Sequence, residues 1–541
     1  MSQSRPLTRP LGAQISHMLK ARGVDVIFGI PGVHNQEMYR GIEEAGITHV
    51  LARHEQGAGF MADGYARATG RPGVCYIITG PGLTNTLTPL GQAYSDSVPV
   101  LAISSCLDET AATRGQLHQM RDQAGAARTV CEWSETANDA DAAYALIDRA
   151  IMEWHIARKR PKHITVPIAR LEAPAEASWP NGASFYPRRV PADPDWVNYV
   201  ADNLQNAKRP VCIFGGGAVQ VGYPAPGESE PENLLRLLDK SGAASFTTYA
   251  GRGIVPASAP LHFGSTLARP SSKDVLAKAD LVVAFGSELA EVDLWRRDLG
   301  HDCLLIRVDI DPEILSSKAH NEWAVLSDAE AMVDALAQAL EPSQSDWSAD
   351  EVAETRLRWR AEVEAERPGI IAVADALREC LPEGTMIYSD MTQFAYSSKE
   401  VWDMDRPGQW HHPTGFGTLG YALPAAIGGA VAREGKPTLA IAGDYGFQYT
   451  LQELGTAVEL GLPLPIFLWD NGKLKEIEDS MVAAQIPPNA VVARNPDFVA
   501  LAKAYGAYGA APKTLAELQE VTRAAFEADA PTLIYVTPDV L

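Results

Sequence analysis

The sequence contains no apolar run of membrane-spanning length, no paired cysteines and no excess of positive charge. No stretch approaches the roughly 18 consecutive apolar residues of a membrane helix, and residues 1–6 lack the hydrophobic segment of a signal peptide. The 46 Lys and Arg residues are outnumbered by 68 Asp and Glu residues, which gives a net charge of −22. We therefore expect a cytoplasmic protein that binds neither nucleic acid nor a membrane surface.

Cysteine is scarce, with six residues scattered over the chain. Their spacing matches neither a metal site nor a disulfide framework, and several lie in apolar, strand-like runs. We predict reduced core residues at Cys75, Cys106, Cys131, Cys212, Cys303 and Cys380.

The chain of 541 residues, of which 46% are hydrophobic, is long enough for about three domains. Two candidate linkers divide it, the Pro-rich stretch 173–194 and a stretch near 341–351. Each block between them alternates short apolar strands with helical segments, which is typical of parallel sheets covered by helices on both faces. We predict an α/β chain with three doubly wound domains at residues 1–175, 190–342 and 352–541.

Short apolar runs predict the strands of these sheets. The predicted strands are residues 24–30, 48–52, 73–79 and 99–104 in the first block, 210–214, 281–285 and 304–309 in the second, and 438–442 and 464–469 in the third.

A turn near the C-terminal end carries the clearest sign of function. The strand predicted at 438–442 ends in Gly443-Asp444-Tyr445-Gly446, and Asp470-Asn471 closes the next predicted strand. Because one helix is expected between the two strands, Asp444 and Asn471 should lie at the same edge of a parallel sheet. That helix is predicted from the spacing of Leu451, Leu454, Val458 and Leu462.

Such an edge suits a cation and a phosphate group. Magnesium is commonly shared between one or two carboxylates and the phosphates of a ligand, and a helix N-terminus offers unpaired N–H groups to an anion. The pattern predicts a magnesium and pyrophosphate site formed by Asp444, Asn471 and a nearby backbone carbonyl. An ordinary turn is the alternative, since Gly-Asp and Asp-Asn-Gly sequences are common in turns.

A second motif lies far upstream. Residues 53–67 read Arg-His-Glu-Gln-Gly-Ala-Gly-Phe-Met-Ala-Asp-Gly-Tyr-Ala-Arg, and residues 78–85 read Ile-Thr-Gly-Pro-Gly-Leu-Thr-Asn. Together with the Asp444 turn, they resemble the thiamine-diphosphate-dependent enzymes of the acetolactate synthase and 2-oxo acid decarboxylase group, over almost the whole chain. Within this group the sequence is most similar to 5-guanidino-2-oxopentanoate decarboxylases, on the Glu55 segment and on residues 28–34 and 286–293.

The resemblance implies thiamine diphosphate and Mg²⁺ as cofactors, with Glu55 as the catalytic acid. The Glu55 carboxyl would hydrogen-bond to the pyrimidine ring of the cofactor, exchange a proton there and drive the ring to its imino tautomer. Burial would raise the pKa of Glu55 towards the working range. The alternative is a helix N-terminal glutamate that only favours the helix dipole.

The resemblance also implies further cofactor contacts. The carbonyl of Gly417 would receive the cofactor amino group, and Leu419 would be the apolar wedge that bends the cofactor, although a core leucine and close glycine packing are the plain alternatives. The implied metal ligands are Asp444, Asn471 and the carbonyl of Lys473. The other implied cofactor-binding residues are Pro31, Gly32, Asp390, Thr392, Gln393, Gly443 and Tyr445.

Two positions in the metal motif depart from the family pattern. Tyr445 stands where a third small residue is usual, and Asp470 replaces the first of two asparagines. Neither change removes an implied ligand. The Asp470 side chain could face outward or lie behind the metal ligands.

The resemblance also implies that substrate selection depends on the segment after the metal loop, where Glu476 and Ile477 would occupy pocket-lining positions of a helix. Glu476 could bind a guanidinium group through paired charge-assisted hydrogen bonds, or deliver a proton after carbon dioxide leaves. It could instead lie on a solvated helix that is rich in i,i+3 and i,i+4 ion pairs. Further substrate-binding candidates, each with a structural alternative, are His34, His118 and Gln119.

The middle block gives little sign of a second cofactor. Gly215-Gly216-Gly217 follows a predicted strand, but the spacing and the acidic residue of a dinucleotide fingerprint are missing. Residues 286–293 stand where flavin-carrying acetolactate synthases have an Arg-Phe-Asp-Asp-Arg-like segment. We therefore expect no FAD, and a flavin absorption band in the purified protein would contradict this expectation.

Three functions remain open on the sequence. The first is decarboxylation of a 2-oxo acid to an aldehyde, and the second is an acetolactate-synthase-like carboligation with a second carbonyl compound. The third is a non-catalytic, cofactor-binding subunit, which Glu55 disfavours. The resemblance also implies that the first block of one subunit faces the third block of another, and hence a homodimer at minimum with shared active sites and a homotetramer as the expected assembly.

Overall fold

The structure is a computed structural model that describes residues 8–108, 115–179, 190–225, 228–316, 322–492 and 494–541. These residues form three α/β domains, each built on a parallel sheet. Part of the proposed linker at 173–194 lies outside the described residues. Within the described ranges, no helix is both long and apolar enough to cross a membrane.

The N-terminal domain contains strands β1 (Arg9–Pro10), β2 (Val26–Gly29), β3 (Thr48–Leu51), β4 (Gly73–Ile77), β5 (Val100–Cys106), β6 (Trp133–Thr136), β7 (Lys162–Pro167) and β8 (Pro174–Ala175). Its helices are α1 (Leu11–Ala21), α2 (Gln36–Glu44), α3 (Glu55–Thr69), α4 (Pro81–Ser95), α5 (Gln123–Arg128), α6 (Ala140–Ile156) and α7 (Ile168–Glu172). The main sheet has the order β3-β2-β4-β5-β7-β6, and β1 pairs antiparallel with β8.

The central domain contains strands β9 (Pro210–Phe214), β10 (Ala244–Thr247), β11 (Leu281–Phe285), β12 (Leu304–Asp309) and β13 (Glu322–Leu326). Its helices are α8 (Pro194–Asn206), α9 (Glu232–Ser241), α10 (Ser272–Leu276), α11 (Glu291–Leu294), α12 (Pro312–Ser316) and α13 (Ala329–Ala339). The sheet order is β10-β9-β11-β12-β13.

The C-terminal part contains strands β14 (Met386–Ser389), β15 (Trp410–His411), β16 (Thr438–Gly443), β17 (Pro465–Trp469), β18 (Tyr508–Ala510) and β19 (Thr532–Val536). Its helices are α14 (Ala349–Glu366), α15 (Ile370–Cys380), α16 (Gln393–Val401), α17 (Ala422–Arg433), α18 (Asp444–Tyr449), α19 (Leu454–Glu459), α20 (Lys475–Ala483), α21 (Phe498–Ala504) and α22 (Leu515–Phe526). The sheet order is β15-β14-β16-β17-β19-β18.

The two outer sheets share one topology. When the six strands of each main sheet are counted in chain order, both sheets follow the order 2-1-3-4-6-5, and all their strand pairs are parallel. Helices α3 and α17 occupy the same place in the two domains, between the second and third strands. The N-terminal and C-terminal domains are therefore two versions of one arrangement.

Helices α3 and α17 pack directly against each other and join the two outer domains. A Cβ atom added to Gly64 would lie 2.0 Å from the carbonyl oxygen of Ala425, and one added to Gly428 would lie 1.9 Å from that of Met61. Only glycine permits this reciprocal backbone approach. The buried apolar side chains of both domains form one continuous core across the contact.

The predicted α/β class with three doubly wound domains is confirmed. Strands β9, β11 and β12 have the predicted bounds, and the other predicted strands agree within two residues. All six cysteines are free. Four of them are buried and two are partly buried.

The helix predicted between β16 and β17 is wrong as a single helix. The chain forms α18, a 3₁₀ turn at Leu451–Glu453 and α19. Thr450 marks the break, because its φ of −136° lies outside the helical range and its hydroxyl donates to the carbonyl of Gly420 at 2.8 Å. This side-chain bond competes with continued helical pairing.

Helix α14 packs on the central domain. Its Val352 and Trp359 are buried against Phe246 and Phe263 of the central core. The helix begins at Ala349, before the proposed start of the third domain at residue 352. The three domain boundaries stay a prediction.

Candidate active site

The carboxyl ends of β16 and β17 bring two aspartates together. Gly443 and Trp469 are paired in the sheet, so the residues that follow them, Asp444 and Asp470, leave the two strands side by side. Asn495 connects them, since its Nδ2 donates to Asp444 Oδ2 at 2.7 Å and to Asp470 Oδ1 at 3.1 Å. Asp470 therefore lies beside the proposed metal ligand and does not face outward.

The two carboxylates repel each other. Burial raises the pKa of Asp444 to about 6, the Asn495 hydrogen bond opposes this rise, and repulsion from Asp470 adds to it. Tyr535 donates its hydroxyl to Asp470 Oδ2 at 2.9 Å. A positive charge beside Asp444 would relieve the repulsion.

A series of side-chain hydrogen bonds links Asn471 to Glu476. Asn471 Nδ2 donates to Gln393 Oε1 at 3.1 Å, and Gln393 Nε2 donates to Glu476 Oε1 at 2.8 Å. Arg367 completes the series, with Nε 2.9 Å from Glu476 Oε1 and Nη2 3.3 Å from Oε2. Glu476 is thus tied to the proposed metal edge, and an internal guanidinium group is already bound to it.

The donor set at this edge fits magnesium in chemistry. Asp444 and Asn471 supply side-chain oxygens, and the ammonium group of Lys473 is paired with Glu478 at 2.9 Å, so only the Lys473 carbonyl could act as a ligand. In the part of the chain that the structure describes, no cluster of three His, Cys, Asp or Glu side chains could hold an ion. A magnesium ion here would need the phosphate oxygens of a ligand as well.

Asp390 holds the turn that contains Gly417 and Leu419. Its carboxylate is buried and accepts the N–H groups of Met391 at 2.9 Å and Gly420 at 2.8 Å. Burial raises the pKa of Asp390 to about 7, and these hydrogen bonds oppose the rise. Gly417 has a positive φ of 66°, a conformation that favours glycine. The Asp390 contacts position this turn, and a direct contact with a cofactor stays a prediction.

Three other predicted cofactor residues lie near this edge. Thr392 is buried, and a Cβ atom on Gly443 would lie 3.1 Å from its hydroxyl oxygen. Gly443 itself precedes α18, in which Tyr445 is partly buried.

Glu55 is the first residue of α3 and is partly buried. Asn85, from α4, donates its Nδ2 to Glu55 Oε2 at 2.9 Å. A Cβ atom on Gly82 would lie 3.3 Å from Glu55 Oε1, so the start of α4 closely confines the carboxylate. The motifs at 53–67 and 78–85 therefore meet at Glu55.

A second glutamate, Glu453, binds the backbone that immediately precedes Glu55. Glu453 is fully buried, and it accepts the backbone N–H groups of His54 at 2.9 Å and Arg53 at 3.1 Å. Burial raises the pKa of Glu453 to about 7, and the hydrogen bonds that it accepts oppose the rise. This residue belongs to the C-terminal domain and reaches the N-terminal domain through its side chain.

The two predicted substrate histidines contact each other. The rings of His34 and His118 lie 4.9 Å apart in an edge-on arrangement. Burial and the neighbouring His118 lower the pKa of His34. Among the described residues, neither ring's Nδ1 has a hydrogen-bond partner. This free hydrogen-bonding capacity is compatible with a ligand contact.

The remaining predicted residues have simpler surroundings. Pro31 is exposed, and the N–H of Gly32 donates to Asn35 Oδ1 at 2.7 Å. Gln119 Oε1 accepts the N–H of Gln116 at 3.2 Å. Ile477 is half exposed. The roles of these residues stay predictions.

The glycine loop of the central domain is explained by packing. Residues Gly216–Gly222 form a 3₁₀ helix, and a Cβ atom on Gly286 would lie 2.5 Å from the carbonyl carbon of Gly217. Two loops at adjacent strand ends therefore touch through their backbones.

Four residues of the site were not assigned from the sequence: Asn85, Arg367, Glu453 and Asn495. Asn495 lies 51 residues from Asp444, and Glu453 lies 399 residues from His54. None of the four has a local pattern that predicts its contact. Asn85 ends a motif that was recognised, which is the one signal that pointed near it.

Comparison with known proteins identifies the family. The N-terminal, central and C-terminal domain models of thiamine pyrophosphate enzymes match residues 9–126, 197–336 and 390–536. A probable 2-ketoarginine decarboxylase of Pseudomonas aeruginosa, AruI, is 41% identical over 97% of this chain and 94% of its own length. An acetolactate synthase of Mycobacterium bovis is 30% identical over 92% of this chain and 83% of its own length. The isozyme 2 large subunit of Escherichia coli acetolactate synthase is 28% identical over 98% of this chain and 96% of its own length.

These matches confirm the predicted resemblance and the prediction of thiamine diphosphate as cofactor. The central match covers all five strands of the central sheet, and the two outer matches cover β2–β5 of the N-terminal sheet and β15–β19 of the C-terminal sheet. The chain belongs to the thiamine pyrophosphate enzymes, in the family of 2-oxo acid decarboxylases and acetolactate synthases.

Proposed function

We propose that this enzyme uses thiamine diphosphate and Mg²⁺ to decarboxylate 5-guanidino-2-oxopentanoate, which is 2-ketoarginine, to an aldehyde. The observation that carries the proposal is the series of side-chain hydrogen bonds from Asn471 through Gln393 to Glu476. It puts a carboxylate that suits a guanidinium group beside the proposed metal ligands. The identity to a probable 2-ketoarginine decarboxylase supports the same substrate.

The C-terminal domain would hold the metal and the diphosphate. Its proposed metal ligands are Asp444, Asn471 and the carbonyl of Lys473, all oxygen donors of the kind that Mg²⁺ prefers. The other residues proposed to contact the cofactor are Pro31, Gly32, Asp390, Thr392, Gln393, Gly417, Leu419, Gly443 and Tyr445.

The bound cofactor supplies a nucleophilic carbon and an electron sink for the decarboxylation. Glu55 is proposed to donate a proton to the pyrimidine ring nitrogen and to recover it. The hydrogen bond from Asn85 to Oε2 fixes the carboxylate and leaves Oε1 for that exchange. A group held in this way can transfer a proton without reorientation.

Glu476 is proposed to recognise the guanidinium tail of the substrate. A carboxylate offers about four acceptor positions, and Arg367 and Gln393 donate three hydrogen bonds to this one. The substrate would use the remaining position or displace Arg367 towards Glu366, whose Oε2 lies 3.7 Å from Arg367 Nη1. Nearby substrate contacts are assigned to Ile477, His34, His118 and Gln119.

Carboligation is the second candidate function. Relatives named acetolactate synthases support it, since they match more than nine-tenths of this chain. In that reaction the decarboxylated 2-oxo acid joins a second carbonyl compound. Product mass separates the two functions, because the decarboxylase releases an aldehyde and the carboligase a 2-hydroxy ketone.

The proposed active unit is a homodimer with shared active sites, and the proposed assembly is a homotetramer. Family membership supports this arrangement, in which Glu55 and Asp444 of one site come from different chains. Light scattering with activity measured on the same fraction tests it. An active monomer would contradict the shared site.

The test of function is carbon dioxide release and product mass from a panel of 2-oxo acids, with thiamine diphosphate and Mg²⁺. Glu476→Gln should reduce kcat/KM for 5-guanidino-2-oxopentanoate by about 10- to 100-fold, the range for a lost hydrogen bond to a charged group. Neutral 2-oxo acids should be nearly unaffected. The matched control is Asp479→Asn on the exposed side of α20.

Other outcomes assign different roles. An equal loss on every substrate would favour proton transfer by Glu476 and contradict tail recognition. No loss on any substrate would favour a solvated helix. A 2-hydroxy ketone product would establish the carboligase.

A further inference from the structure

The backbone just before Glu55 is hydrogen-bonded to the C-terminal domain of the same chain. Glu453 Oε1 accepts the N–H groups of His54 at 2.9 Å and Arg53 at 3.1 Å, and Oε2 also lies 3.1 Å from the Arg53 nitrogen. These are the two backbone donors that immediately precede Glu55. A single side chain therefore holds the start of α3 from another domain.

The residues around Glu453 make further close contacts with the segment that precedes and begins α3. A Cβ atom on Gly57 would lie 2.2 Å from Glu453 Oε1, so the carboxylate fills the space that a larger residue would occupy. The Thr456 hydroxyl lies 2.9 Å from Glu453 Oε2 and 3.2 Å from the carbonyl of Leu51. Arg53 is also paired with Glu459. The segment from Leu51 to Gly57 thus contacts the 3₁₀ turn and α19 at several points.

The burial of the Glu453 carboxylate has an energetic cost that its hydrogen-bond partners must offset. Removing a carboxylate from water is costly unless hydrogen bonds offset the loss. Glu453 is fully buried, and the groups that satisfy it are backbone donors next to Glu55 together with one hydroxyl. An apolar side chain would leave the two backbone N–H groups without this acceptor.

We propose that Glu453 is a positioning residue for Glu55, which fixes the backbone of residues 53 and 54 so that the Glu55 carboxyl meets the cofactor in one orientation. This inference rests on the proposed role of Glu55. A displacement of about 1 Å at a reacting group can reduce the rate about 100-fold. Because Glu453 lies in the C-terminal domain of the same chain, the contact also links Glu55 to a domain that belongs to the other active site of the proposed dimer.

The experiment compares Glu453→Ala, Glu453→Gln and Glu453→Asp with the wild type. The glutamine keeps one oxygen for the His54 and Arg53 N–H groups, alanine keeps none, and aspartate is too short to reach them. In the holoenzyme with thiamine diphosphate and Mg²⁺, the rate of deuterium exchange at the cofactor C2 carbon is measured by quenched NMR. Steady-state kcat and KM are measured in parallel.

The expected result is a selective loss of cofactor activation. Glu453→Ala should slow C2 exchange and lower kcat by about 100-fold, with KM for the 2-oxo acid and affinity for the cofactor nearly unchanged. Glu453→Gln should stay close to wild type. In the cofactor-free protein, the amides of residues 53 and 54 should exchange with deuterium faster in the alanine variant.

Tyr388→Phe is the matched control. The Tyr388 hydroxyl donates to the carbonyl of Gly64 at 2.8 Å, so it is another interdomain bond from a C-terminal side chain to the backbone of α3. This variant should lower the unfolding midpoint without slowing C2 exchange. If it slows exchange as much as Glu453→Ala does, general loosening of the domains explains both and the proposal is overturned.

The other variants decide the remaining cases. If Glu453→Ala does not fold, the pair of Gln and Asp variants decides, since fast exchange with Gln and slow exchange with Asp supports positioning. Slow exchange in both Gln and Asp variants would require the negative charge and overturn it. Wild-type exchange in Glu55→Gln would refute the role of Glu55 and this inference together, whereas slow exchange there with wild-type exchange in Glu453→Ala would refute this inference alone.

Discussion

The N-terminal and C-terminal domains have the same strand order but different residues where their strands end. In the N-terminal domain, the second strand leads into α3 with Glu55 as its first residue. In the C-terminal domain, Asp444 and Asp470 follow the third and fourth strands. The shared topology therefore fixes where polar residues can meet, and the residues at those positions decide what the edge can do.

The two edges also differ in how their carboxylates are held. Glu55 is partly buried and has one side-chain donor, Asn85. Asp390 and Asp444 are buried and bound by backbone N–H groups or by Asn495. A group that exchanges a proton needs a free oxygen, whereas a group that holds a metal or a loop needs a fixed one. The comparison of the two domains leads to four predictions.

The largest effect is expected at Glu55. Glu55→Gln should reduce kcat/KM by about 100- to 10,000-fold, the usual contribution of general acid–base catalysis, while affinity for thiamine diphosphate should change little. Carbon dioxide release and a cofactor titration measure the two quantities. Glu43→Gln, at an exposed position of the same domain, is the control. A parallel loss of cofactor affinity would show that Glu55 serves binding.

Asp444 should behave in the opposite way. Asp444→Asn should weaken Mg²⁺-dependent cofactor binding by more than the roughly 10- to 100-fold that loss of an outer partner of a metal ligand costs. Activity should recover in part at high Mg²⁺ and cofactor concentrations. Calorimetric titration at several Mg²⁺ concentrations checks this, with Asp497→Asn as control. Normal affinity for the cofactor combined with lost turnover would contradict the prediction, because Asp444 would then serve catalysis, as Glu55 does, and not cofactor binding.

The sequence predicted the architecture well because the buried parallel strands are continuous apolar runs. The strands β9, β11 and β12 were found with their observed bounds for this reason. The prediction of one helix between β16 and β17 failed at Thr450, whose hydroxyl binds the carbonyl of Gly420 in a distant loop. Helical spacing alone contains no information about such a tertiary contact.

The site could be predicted where its residues lie in motifs and not where they act across the fold. Glu55, Asp444 and Asn471 stand in short patterns at strand ends. Asn495 and Glu453 are recognised only through partners that are distant in sequence. Glu476 was placed near the metal loop, but its ion pair with Arg367 connects residues 109 positions apart and was not foreseen.

The reciprocal glycines of α3 and α17 test whether the two outer domains act as one unit. Gly64→Ala should destabilise the protein by about 1–3 kcal/mol, the usual cost of overpacking, because the added Cβ would lie 2.0 Å from the carbonyl oxygen of Ala425. Urea unfolding followed by tryptophan fluorescence measures it. Gly455→Ala in α19 is the control, since its added Cβ would make only ordinary contacts, the nearest at 3.4 Å from Arg53 Nε. Equal costs in the two variants would show that the contact between α3 and α17 adds nothing of its own.

The smallest expected effect concerns the interiors of the two outer sheets, which differ at one equivalent position. His163 is the second residue of β7, and the second residue of the corresponding strand β19 is Leu533. His163 is fully buried between the hydroxyl groups of Ser104, at 2.8 Å, and Ser134, at 2.7 Å. Burial lowers the pKa of His163 from 6.5 to about 3.

This shift makes the stability of the N-terminal domain sensitive to acid. Above pH 6.5 the imidazole is neutral in both the folded and the unfolded chain, so it contributes no pH dependence. As the pH falls from 6.5 towards 3, only the unfolded chain takes up the proton, and stability is lost at about 1.4 kcal/mol per pH unit. The loss by pH 5 should therefore be about 2 kcal/mol.

His163→Gln should remove this part of the pH dependence. Urea midpoints of the wild type and the variant at pH 7.5 and pH 5 isolate the effect of His163, because the buried His411 and His412 of the C-terminal domain contribute equally to both proteins. The wild type should lose more stability between the two pH values than the variant does. Equal losses would mean that His163 is protonated in the folded protein, so the sheet interior of the N-terminal domain would be more accessible to water than its C-terminal counterpart.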